Sequence, residues 1–214
     1  MLLSRVSRTL FGCNLLQHKR FLQDRRGKSR VPQFNPPPSP GSQQKEASIP
    51  TPGWPNAAVL LFDKFVKETS TGEWEKVYRG VPEDELRSFL RATGDKMFMG
   101  AIFVNKSKMI GKAIYTFGPW CEGNEGSVHN GAIVTIHDAV IGTVSHRVCG
   151  ISVTAYIDTN FLCPIPIETS TLVTSRVDSV DGRKIKLSSQ IMNMDEKILY
   201  SESTSLFILS GIFE

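Results

Sequence analysis

Asp138 stands in a run, Ala132 to Val144, whose neighbours are almost all apolar: Ala132, Ile133, Val134, Ile136, Ala139, Val140, Ile141 and Val144. An ionised carboxylate removed from water without partners is costly, so its presence there calls either for backbone partners at a helix rim or for chemistry. Upstream lies a glycine-rich turn, Gly118 to Gly131, which runs straight into the apolar stretch and ends on His129, Asn130 and Gly131. The first turn of a helix leaves backbone N–H groups without partners, and the helix dipole adds partial positive charge there. Such an end suits a carbonyl oxygen that gains negative charge during attack. A carboxylate that can act as base or nucleophile, together with a donor-rich helix start, is equipment for acyl-group hydrolysis. His129 and Asp138 are nine residues apart, about half a turn out of phase at about 3.6 residues per turn, so the two ends of this machinery need not meet within one chain.

The elements that must hold these residues are legible from periodicity. Ala58, Leu61, Phe62, Phe65 and Val66 follow the spacing of a helix with one buried stripe. A second helix is expected from Pro82, with acids in its first turn, to a stop at Gly94. From Met97 the period changes, and Met97–Asn105 and Lys108–Phe117 read as strands joined by a turn at Lys106-Ser107. Ala132–Val144 reads as a helix apolar on nearly every side, and hence buried. Four strand-like runs follow, Ile151–Leu162, Thr169–Val180, Arg183–Met194 and Ile198–Leu209, separated by Pro164 and Pro166, by Asp181-Gly182 and by Asp195-Glu196-Lys197. Two strands, a central helix and four more strands predict an α+β domain, an antiparallel sheet wrapped around that helix.

Charge and composition bound the rest. Eight of the 25 Lys and Arg but only one of the 21 acids lie in residues 1–30, which leaves 17 bases against 20 acids in the remainder. The net charge of +4 therefore argues for no nucleic-acid partner. Leu2, Leu3, Val6, Leu10 and Phe11 alternate with arginine and can share one helical side, the composition of a mitochondrial transit peptide; a matrix location is expected. Eight of the 12 prolines fall between Pro32 and Pro55, so residues 31–55 read as an extended spacer, 56–94 as a helical extension and 95–214 as the main domain. No stretch reaches the roughly 20 apolar residues of a membrane span. The four cysteines show no framework spacing, and His129, His137 and His146 are not paired at ligand spacing, so neither a disulfide scaffold nor a metal site is expected. Nucleotide-binding glycine motifs and a serine nucleophile elbow are absent, and no cofactor is called for.

The run Glu122-Gly123-x-x-Gly126-x-x-His129-x-Gly131-Ala132-Ile133-x-Thr135-x-x-Asp138 resembles the signature of hotdog-fold acyl-CoA thioesterases. Closest in pattern are the mitochondrial thioesterase superfamily members four and five, to which Leu60-Leu61-Phe62-Asp63, Thr154-Ala155, Pro164-Ile165-Pro166 and Leu199-Tyr200-Ser201-Glu202 also correspond. The resemblance covers about Trp54 to Phe207. It implies a hotdog fold that hydrolyses acyl-CoA, with Asp138 as general base or nucleophile, His129 ordering the turn and Thr154 positioning the attacking water. The backbone N–H groups of Asn130 and Gly131 would form the oxyanion hole, and Gly123 and Asn124 in the turn are further candidates for touching substrate. It also implies that helix start and aspartate come from different subunits of a homodimer, with tetramers as a further pairing. Arg183 and Lys184 are candidates for the phosphates of coenzyme A. Two departures stand out. Asn130 occupies the place of the family's first glycine, and Leu162-Cys163 that of a bulky, basic pair. A rival reading of the same fold is a weak or inactive hotdog protein that binds regulatory partners, a role that Asn130 favours.

Overall fold

A computed structural model of the chain describes residues 48–78, Leu90 and residues 94–210. The expected transit peptide, most of the proline-rich spacer and, apart from Leu90, the expected helix from Pro82 to residue 93 lie outside the described residues, and its expected stop, Gly94, opens a short 3-10 turn, Gly94–Lys96. Helix α1 is Asn56–Thr69. It is followed by the short strand β1, Glu75–Lys76, and by β2, Phe98–Asn105, and β3, Ile110–Phe117. The long helix α2, Asn130–Val148, precedes β4, Ser152–Phe161, β5, Ser170–Asp181, β6, Lys184–Asn193, and β7, Leu199–Leu209. The α+β architecture and the order expected from periodicity are therefore present. The short β1 had no periodic signal, because two residues are too few to carry one.

The seven strands form one antiparallel sheet in the order β1-β2-β3-β5-β6-β7-β4. Its inner face curls around α2. Ile133, Ile136, Val140, Ile141 and Val144 of the helix meet Ala113, Tyr115, Phe117, Val173, Ile185, Leu187, Ile191 and Phe207 of the sheet. Part of the outer face is covered by α1, whose Ala58, Phe62 and Phe65 pack on Met99, Ala101, Phe103, Ile114 and Leu172. Phe62 and Phe65 meet the Phe103 ring edge-on at centroid distances of 5.9 and 5.4 Å. Every residue of β2 is buried, because this strand has a helix on each side; that is why Phe98–Asn105 reads as a nearly continuous apolar run instead of alternating. Gly111 sets the approach of α2, since a Cβ at that position would run into Val144.

Two expectations need correction. Val66 was placed on the buried stripe of α1 but is exposed, because the helix lies on a sheet surface and buries a narrower stripe than a groove would. Helix α2 was expected to be buried all round. It buries one face only, and Ala132, Val134, Thr135, Asp138, Ala139 and Gly142 are half-exposed along its other side. Among the described residues that second side is only partly covered, although its residues are largely apolar.

Candidate active site

The glycine-rich turn is a tightly bonded loop. Gly123 N–H donates to Ser127 O at 2.9 Å, Ser127 N–H to Asn124 O at 2.8 Å, and Gly126 N–H to the Glu122 carboxylate at 2.7 Å. Gly126 takes a φ of +73°, a left-handed conformation that costs glycine little. Val128 N–H donates to Ile165 O and His129 N–H to Cys121 O, which fastens the loop to the chain beyond β4 and fixes where α2 begins. Gly123 lies against His129 so closely that a Cβ would come within 2.8 Å of the His129 Cα.

His129 is the N-cap of α2: its Nδ1 accepts the Gly131 N–H at 2.9 Å. The Ala132 and Ile133 N–H groups both donate to His129 O. Of the helix-start donors, the Asn130 N–H has no acceptor among the described residues, and Asn130 itself is exposed. Sequence reasoning named Asn130 and Gly131 together as oxyanion donors. The Gly131 donor is engaged by His129, a detail the sequence signalled only in that histidine, like asparagine, can cap a helix.

Asp138 is half-exposed on the uncovered side of α2, and its Oδ1 accepts the Thr154 hydroxyl at 2.9 Å. The structure thus brings two of the named residues together. Thr154 lies beside a bulge, where the pairing of β4 with β7 shifts between Thr154 and Tyr156, and bulges next to functional sites serve to re-aim side chains. Asn130 and Asp138 are not brought together: at about 1.5 Å rise per residue they stand about 12 Å apart along the helix. Arg183 and Lys184 lie at the end of the sheet where β4 begins, away from the start of α2. The Arg183 guanidinium donates twice to Leu209 O, at 3.0 and 2.8 Å, and so holds the end of β7.

The buried partner of the His-Asp pair is His137, not Asp138. His137 is wholly enclosed, with Nδ1 2.9 Å from Ser189 Oγ on β6 and Nε2 2.9 Å from Ser201 Oγ on β7. Its spacing could have revealed this, since 133, 136, 137, 140, 141 and 144 form one helical stripe that includes 137 and leaves out 138. Burial pushes the His137 pKa down from 6.5 to about 4. As pH falls, the unfolded chain therefore takes up this proton before the folded one. The stability conferred is complete above about pH 6.5 and is lost between there and about pH 4, to a total of about 3 kcal/mol. Urea unfolding at pH 7 and pH 4.5 should show a steeper loss for the native chain than for His137→Gln; equal losses would contradict it.

Burial also raises the Cys121 thiol to about 11 and pushes Cys149 upward, which makes neither a ready nucleophile. A polar groove of about 500 Å³, lined by Lys112, Thr174, Gln190, Glu202 and Asn160, opens on the outer face of the sheet.

An antiparallel sheet gripping one long helix, with a capped, glycine-led helix start and a carboxylate on the helix flank, defines a hotdog domain. The thioesterase superfamily profile matches residues 125–199. The acyl-coenzyme A thioesterase THEM4 of Bos taurus is 31% identical over 188 residues, covering 77% of this chain and 78% of that protein. THEM5 of Mus musculus is 19% identical over 185 residues, covering 77% and 75%. Among solved structures, zebrafish thioesterase superfamily member 2 superposes with a TM-score of 0.51 at 13% identity, over 58% of this chain and 88% of that one. The chain belongs to the thioesterase superfamily, in the group that contains THEM4.

Proposed function

We propose that this protein hydrolyses acyl-CoA thioesters as a homodimer, with Asp138 as the base or nucleophile and the start of α2 as the oxyanion site. The observation that carries the reading is the Asp138–Thr154 pair on a half-exposed flank of α2, beside a strand that among the described residues lies at the edge of the sheet. Strand β4 presents exposed Val153, Tyr156 and Phe161, and its free edge needs a partner. A second copy placed across a two-fold axis would pair β4 with β4 antiparallel and cover the exposed side of α2. Such a two-fold reverses the ends, so that the partner's helix start approaches Asp138 and closes the gap of about 12 Å. Asp138 would then take a proton from water as its oxygen attacks the thioester carbonyl, or attack that carbonyl itself to give a mixed anhydride that water opens. By either route the C–S bond breaks and coenzyme A leaves as the thiol, with Thr154 holding the carboxylate. The Asn130 N–H would receive the oxyanion, and the Gly131 N–H joins it once the His129 ring gives way. The decisive test is hydrolysis of a panel of acyl-CoAs by the chain from Trp54; no turnover on any member would refute the reading.

The rival binding role draws on the engaged Gly131 donor and on Asn130. Because the oxyanion site uses backbone donors, Asn130→Gly should retain or raise turnover. A loss beyond about tenfold, about 1.4 kcal/mol, would show that the amide side chain itself contributes. The composition of residues 1–30 supports mitochondrial import. A chain lacking them should stay outside mitochondria in fractionation, and matrix recovery of that truncation would reject the proposal.

A further inference from the structure

Most of what α2 offers the sheet is aliphatic: Ile133, Ile136, Val140, Ile141 and Val144. Aliphatic packing is non-directional, and a helix resting on it can turn or slide slightly at small cost. His137 is different, because it bonds at both ring nitrogens to two different strands, Ser189 on β6 and Ser201 on β7. A neutral imidazole has one donor and one acceptor nitrogen, so one serine must donate and the other accept, and both bonds have strict geometry. Strand β7 in turn pairs with β4, which carries Thr154, and Thr154 holds the carboxylate of Asp138, the residue next to His137. The contacts close a ring: Asp138 to Thr154, across to Phe207 on β7, along that strand to Ser201, and back through His137 to Asp138.

We propose that His137 is a positioning residue, whose two serine bonds fix the rotation of α2 on the sheet and thereby the direction of the Asp138 carboxylate. The inference rests on the thioesterase reading of Asp138 but concerns a residue that touches no substrate. Without the serine bonds the helix keeps its apolar packing and, at its C-terminal end, the contacts of Ser145 and His146 with Ser152 and of Arg147 with Glu75. These pin that end and leave the angle of the middle, where Asp138 sits, loosely determined. A shift of about 1 Å at a reacting group costs on the order of a hundredfold in rate, so partial loosening is expected to cost about tenfold.

The test separates stability from aim. In the triple variant His137→Leu/Ser189→Ala/Ser201→Ala every polar partner is removed together, so no buried group is left unpaired and the fold is retained. Its melting temperature at pH 7 should equal or exceed that of the native chain, while kcat on acyl-CoA falls about tenfold with KM little changed. His137→Gln, which can still bond one serine, should recover part of kcat. A crystal structure of the triple variant should show Asp138 and Thr154 out of hydrogen-bond reach. Native kcat in the triple variant, or an intact Asp138–Thr154 bond in its crystal structure, overturns the proposal. A native chain inactive on every acyl-CoA would sink the thioesterase reading instead, and the Asp138–Thr154 distance in the variant would then decide the positioning role alone.

Discussion

Asp138→Asn should lower acyl-CoA hydrolysis at least about a hundredfold while the protein stays folded, the usual scale for removing a general base. The substitution keeps the size of the side chain and an oxygen that can accept the Thr154 hydroxyl, and removes only the negative charge. Asp138 is half-exposed, so the change in stability should stay within about 0.5 kcal/mol. If the aspartate served only the architecture, the pattern would reverse, with a lower melting temperature and near-native turnover per folded molecule. Measuring both quantities on one preparation decides between the two.

The second large effect is expected from β4. Placing lysine at Val153 and Tyr156 puts two like charges on the exposed edge, where a second copy would bring two more. Val153→Lys/Tyr156→Lys should elute as a monomer by light scattering, and turnover should drop at least about a hundredfold, because donors and base about 12 Å apart in one chain cannot reach the same carbonyl. An active monomer would show that one chain holds a complete site.

How far the sequence anticipated this arrangement depended on the reach of each signal. Strands β2 to β7 and α2 were legible because their periods are long enough to show and because glycine, proline and acidic turns separate them. Asp138 attracted notice as a charge in an apolar run, and Thr154 through its place in the family pattern; the structure bonds the two. The reading erred in burying α2 all round, since an apolar helix gives the same pattern whether its second side meets its own chain or nothing yet. His137 was treated as a failed metal ligand, although its position on the stripe of Ile133, Ile136 and Val140 marked it as internal. Its serine partners lie 52 and 64 residues away, a separation that no local pattern can bridge. The capping of Gly131 by His129 was likewise hidden, because it depends on a side-chain rotation and not on spacing.

The place of β4 in the sheet also orders events in time. This strand leaves α2 directly, yet among the described residues it pairs only with β7, so that Ser152 pairs with Leu209 and Phe161 with Ser201. Until β7 has been made, Thr154 belongs to a segment that can touch α2 but has no strand to pair with. Contacts so distant in sequence form late and slowly, since a long loop must be closed before they are rewarded. The apolar edge on which the proposed dimer rests is therefore finished only after β7 has been made. A chain cut short before Leu199 would retain the helix start, the capping histidine, Asp138 and Thr154, and would lack β7, the strand on which the segment carrying Thr154 is laid.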